Sequence, residues 1–163
     1  MSNCKEVRIK INSELYEVEA ALFSDESEPE EFFENSEQET VEPDIMEINS
    51  LGELCDDGER VSVSYEETEA TGMDGSKTSV TFLKKDPMVV TMMRDGVVSA
   101  TLVFEEGKRH HCIYKTPFMP FEVCVHTKKV VNRMLENGYI ELDYIVEIRG
   151  AKAERTKFKM QLL

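Results

Sequence analysis

The sequence predicts an all-β domain, an antiparallel up-and-down ribbon closed into a barrel, on three observations. Turn signals punctuate the chain from Asp57 onward: Asp57-Gly58, Asp74-Gly75, Asp86-Pro87, Asp95-Gly96, Glu106-Gly107, Thr116-Pro117, Asn137-Gly138 and Gly150. The runs between them are rich in Val, Ile, Thr, Tyr and Phe and alternate apolar with polar residues, the period of a half-buried strand. Roughly eight to ten such strands in one open sheet would leave long edges to pair with other molecules, and closure removes them. A two-sheet sandwich satisfies the same alternation. With 163 residues the chain makes one domain, residues 1–163, with a sizeable core.

The elements follow in order. "KEVRIKINSELYEVEAALF", residues 5–23, forms one or two strands whose parity slips near Asn12-Ser13, where a bulge or bend would turn a barrel corner. "SDESEPEEFFENSEQETVEPD", residues 24–44, is acidic, poor in aliphatics and carries two prolines, so it is expected to be a mobile loop within the domain. Its adjacent Phe32 and Phe33 would either dock on a partner or rest on the nearest apolar surface. "RVSVSYEE", residues 60–67, sets Val61, Val63 and Tyr65 on one face. Met88, Val90, Met92 and Arg94 share the next such face, and Val98, Ala100, Leu102 and Phe104 the one after. A hairpin around Thr116–Met119 runs residues 108–116 against 119–127. "KKVVNRMLENG", residues 128–138, fits a helical turn or a strand end with a loop. "YIELDYIVEI" and "RTKFKMQL" close the series, with Ile140, Leu142, Tyr144, Val146 and Ile148, then Thr156, Phe158, Met160 and Leu162, on the dry faces.

Charge is segregated. The formal net charge is −14, yet residues 11–59 hold eighteen Asp or Glu and no Lys or Arg, while residues 60–163 carry a net +2. The acidic stretch repels phosphate backbones and no basic, aromatic-interleaved stripe attracts them, so no nucleic-acid partner is expected. No apolar run approaches the ~20 residues that span a bilayer, so no membrane association is expected. The opening residues alternate charged with apolar, unlike a signal peptide. Cys4, Cys55, Cys112 and Cys124 follow no zinc-ribbon or CxxC spacing and are expected to be reduced thiols of a cytoplasmic protein.

Several stretches resemble a known family when taken together. They are "SYEET" at 64–68, "RDG" at 94–96, "VFEEGKRHHCIYKTPF" at 103–118, "VHTKKV" at 125–130 and "NGYIELDYIVEI" at 137–148. In that order and spacing they resemble the YwiB-like family of bacterial proteins, small β-barrels of unknown function. The resemblance spans residues 45–163 and the N-terminal strand. It implies a lipocalin-like, or calycin-like, barrel and so supports closure over the sandwich. It supplies no catalytic residues. Where the family usually has Thr-Pro-Tyr-Gly, this chain has Thr116-Pro117-Phe118-Met119, without the glycine that would ease a tight turn.

The chemistry-bearing residues point away from catalysis. His110, His111 and His126 are the only histidines, with no nucleophile motif beside them, and no glycine-rich phosphate cradle is present. Glu66-Glu67 and Glu105-Glu106 are sequence neighbours on opposite strand faces and do not support a glycosidase-type pair. In one hairpin register Cys112 faces Cys124 and His110 faces His126, grouping four metal-ligating residues; shifted by one, the group dissolves. Neither a metal nor a cofactor is expected. The reading that remains is a non-enzymatic barrel holding one small apolar or anionic ligand. Tyr65, Arg94, Tyr114 and Tyr144 would anchor it, and Met92, Phe104 and Phe158 would line its pocket. The alternative is an interaction module that captures a basic protein partner through the acidic 24–44 loop. Sequence alone does not fix the oligomeric state.

Overall fold

The computed structural model describes residues 3–18, 43–67, 75–148 and 153–163. Phe32 and Phe33, with all of the acidic segment before Pro43, lie outside the described residues. The described chain folds into ten antiparallel strands and one helical turn. The strands are β1 (Asn3–Val18), β2 (Asp44–Asp56), β3 (Arg60–Glu66), β4 (Lys77–Leu83), β5 (Asp86–Asp95), β6 (Ala100–Glu105), β7 (Arg109–Lys115), β8 (Pro120–Arg133), β9 (Tyr139–Ile148) and β10 (Ala153–Leu162). The helical turn, α1 (Met134–Asn137), sits between β8 and β9.

The sheet order is β6-β5-β4-β3-β2-β1-β10-β9-β8-β7, an up-and-down meander in which the first strand pairs with the last. That β1–β10 ladder runs from Ile9 opposite Leu162 to Val18 opposite Ala153 and shuts the ribbon into a nearly closed barrel. The remaining seam lies between β6 and β7. It is pinned at one end by the Ser99–Lys115 bridge and at the other by the tight turn in which the Lys108 amide donates to the Glu105 carbonyl, with no ladder between.

The alternation read from the sequence is what the barrel uses. Ile9, Ile11, Ile48, Val61, Val63, Val80, Phe82, Val90, Met92, Leu102, Phe104, Val123, Val125, Val130, Ile140, Leu142, Phe158 and Met160 form one continuous buried core. Removing each such side chain from water contributes about 1.5–3 kcal/mol, and that sum opposes the conformational entropy of ten ordered strands. Toward the β4–β5 turn the interior holds Phe82, Val90, Val130 and Met134, and Asn132 Nδ2 ties that end by donating to the Pro87 carbonyl at 2.7 Å. The opposite end is polar.

Four sequence expectations need correction or refinement. β1 is a single strand whose registers to β2 and β10 run unbroken through Asn12-Ser13, so no bulge lies there. The register shifts instead between Phe82 and Leu83 and between Thr127 and Lys129. Residues 128–138 satisfy both readings, β8 continuing to Arg133 before the helical turn. The glycine-free Thr116–Met119 turn needs no left-handed residue, since no described non-glycine residue has positive φ. Thr116 Oγ1 organises it, accepting from the Phe118 and Met119 amides and donating to the Met119 carbonyl. Finally, Cys4 and Cys55 are joined as a disulfide rather than free thiols, because the β1–β2 register sets them directly opposite each other.

Candidate binding site

The polar end is assembled from inward-facing residues of seven strands, β3 to β7, β9 and β10. A cross-strand row runs Tyr65 on β3, Thr78 on β4 and Arg94 on β5, each directly opposite the next, and ends at Ala100 on β6. Ala100 is small enough for the arginine to reach over β6 to β7, where Arg94 Nη1 donates to the Tyr114 hydroxyl at 3.3 Å. Tyr144 on β9 and its ladder partner Thr156 on β10 complete the ring. Glu67, just past the end of β3, is 4% exposed and accepts a 2.6 Å hydrogen bond from Thr78 Oγ1. The Nε of Arg94 is buried and has no hydrogen-bond partner among the described residues.

The electrostatics follow from this placement. Burial raises the Tyr65 hydroxyl well above the usual phenol range, the charge of Glu67 adds to it, and Arg94 opposes both. Burial likewise pushes Tyr144 up to about 12 and raises Tyr114, again against the pull of Arg94. For Arg94 itself burial disfavours the charge, but Tyr114, Tyr144, Tyr65 and Glu67 together outweigh it and hold the guanidinium charged. At neutral pH the cluster therefore sets a permanent cation among protonated tyrosine hydroxyls, with the buried Glu67 carboxyl beside them.

The structure thus brings together the four polar residues singled out by sequence. Met92, Phe104 and Phe158 pack in the core beside them, with the Phe104 ring centroid 4.5 Å from that of Tyr144. Two members escaped sequence reasoning, Glu67 and Thr78. The signal for Glu67 was present, since it shares the parity of Tyr65, but its neighbour Glu66 made the pair look like ordinary solvated charge.

The grouping of His110, Cys112, Cys124 and His126 does not form. The hairpin adopts the register in which Arg109 faces His126 and His111 faces Cys124. Cys112 then faces Val123 and packs against the core, and its thiol is pushed up to about 11, first by burial and then by Cys124. His110 Nε2 lies 3.1 Å from Glu105 at the seam, and His111 Nδ1 lies 3.1 Å from Glu122. His126 is buried on the outer face. Among the described residues no helix is long and apolar enough to cross a membrane.

Known proteins place the chain. It is similar in structure to the ywiB protein from Bacillus subtilis, with a TM-score of 0.62 and 18% identity over 97% of this chain and 93% of that one. At that identity the likeness speaks for the fold alone, and it agrees with the family resemblance read from the ordered motifs. No curated protein matches significantly. The family described as "Domain of unknown function (DUF1934)" matches residues 33–160, most of the chain. With the barrel, its register and the ordered motifs all in agreement, the chain belongs to the DUF1934 family.

Proposed function

We propose that this protein is a non-enzymatic, cytoplasmic β-barrel of lipocalin-like type that binds one small molecule at the polar end, through an anionic group on Arg94 and an apolar body among the core side chains. One observation carries the reading. Arg94 keeps a buried Nε with no hydrogen-bond partner among the described residues, although the cluster around it already contains an acceptor, the Glu67 carboxyl that takes the Thr78 hydroxyl, and three tyrosine hydroxyls that stay protonated. Leaving such a donor unsatisfied costs about 1–3 kcal/mol, and an anion accepting from it would recover that. The surroundings offer Phe104 and Met92 as apolar walls.

A fluorescent probe with an apolar ring system and one sulfonate, 8-anilinonaphthalene-1-sulfonate, tests this directly. Binding with enhanced fluorescence is expected for the native barrel and loss of at least tenfold in affinity for Arg94→Met, which keeps bulk and removes charge, with an unchanged urea midpoint. Equal binding by Arg94→Met, or none by the native protein, would overturn the proposal. Native mass spectrometry of protein taken straight from cells should then show the retained molecule.

A further inference from the structure

The β1–β2 ladder that joins Cys4 to Cys55 also sets Glu6 directly opposite Glu53. By strand parity these four side chains share the outer face, because the odd-numbered residues of β1, among them Ile9 and Ile11, fill the core. The sulfurs of Cys4 and Cys55 and a carboxylate oxygen of Glu53 lie within 4.8 Å of one another, with Cys55 Sγ 3.2 Å from Glu53 Oε1. Glu6 and Glu53 are like charges in opposed positions, which destabilises a ladder unless a cation intervenes. Among the described residues neither has an ion-pair partner. Beside them lies an open depression of about 660 Å³ lined by Glu6, Glu53, Glu66 and Glu67, with Lys77 the only basic residue among its described lining.

We propose that the reduced form of this chain binds one zinc ion here. Cys4, Cys55 and Glu53 are the protein ligands, water takes the fourth position, and Glu6 adds negative charge from across the ladder. Zinc favours this mixed sulfur and oxygen set. Two thiolates on a tetrahedral zinc lie ~3.8 Å apart, given Zn–S bonds of about 2.3 Å. The paired backbones here have their Cα atoms 4.1 Å apart, so freed side chains reach that separation by rotation about χ1. The disulfide is the metal-free, oxidised state. A dithiol reductant breaks the S–S bond, delivers one electron and one proton to each sulfur, and becomes a disulfide itself. Zinc then displaces both thiol protons.

The test compares full-length oxidised and phosphine-reduced protein, using cobalt(II) as a spectroscopic stand-in and zinc in equilibrium dialysis. One equivalent of either metal is expected in the reduced protein, with thiolate-to-cobalt charge-transfer absorption in the near ultraviolet, and none in the oxidised protein. Cys4→Ser and Cys55→Ser should abolish the band, and Cys112→Ser with Cys124→Ser should retain it. Glu53→Gln should weaken affinity about tenfold. Absence of the band in reduced protein, or an equal band in oxidised protein or in Cys4→Ser, would overturn the proposal. The comparison of redox states needs no variant, so a substitution that impairs folding leaves the test intact.

Discussion

His126 shows how one buried side chain makes stability depend on pH. It lies on the outer face of β8 at 6% exposure, and burial, reinforced by the neighbouring Arg109 guanidinium, holds its ring below the usual imidazole value of 6.5. The folded chain resists a proton that the unfolded chain accepts. Its contribution to stability is therefore complete above pH 6.5 and is lost as pH falls from there through the folded value. Urea midpoints measured between neutral pH and pH 5 should fall for the native protein and stay flatter for His126→Gln. A parallel decline in both would assign the acid sensitivity to other groups. Arg94 is the opposite case, a charge retained despite burial because three hydroxyls and Glu67 surround it.

Strand β2 depends on a residue with no side chain. A Cβ on Gly52 would run into Ile9 Cδ1 and the Ser64 carbonyl, the latter being backbone of β3 that cannot step aside. Gly52→Ala should therefore cost roughly 1–3 kcal/mol by overpacking, read as a lower urea midpoint with unchanged slope. A neutral outcome would mean that β3 shifts freely. Within strands, the sequence already told most of the story: the parity that buries Val61, Val63 and Tyr65, or Ile140, Leu142 and Tyr144, is a local property of a few consecutive residues. Between strands it was silent. The partner of Cys112 turns on a one-residue choice of hairpin register, and Cys4 meets Cys55 at a sequence separation of 51 that spans the acidic segment. For the same reason Tyr65, Arg94, Tyr114 and Tyr144 could be named singly, whereas the hydrogen bond from Arg94 to Tyr114 depends on a small Ala100 lying between them.

Taken as a closed ribbon, the molecule has one place where continuity of the chain and continuity of the ladder part company. β6 and β7 are adjacent in sequence but share no ladder, while β1 and β10, at opposite ends of the described chain, are paired over ten residues. A circular permutant opened at Gly107, with residues 1 and 163 joined by a flexible linker of roughly ten residues, should keep the native far-UV spectrum and a cooperative urea transition. A permutant opened inside β9 should not fold. If both folded equally well, the unladdered seam would not be a special weakness of the barrel. Opening at Gly107 also leaves Cys4, Cys55 and Arg94 in place, so the permutant should retain both proposed sites.

The pairing of first strand with last also governs the order of events during synthesis. Until β10 emerges from the ribosome, β1 and β9 present bare hydrogen-bonding flanks, and a chain stopped short of Ala153 would keep both. Chains that stop before β10 should thus be sticky, protease-sensitive fragments rather than smaller working proteins, and chaperone demand should be highest while β10 is still missing.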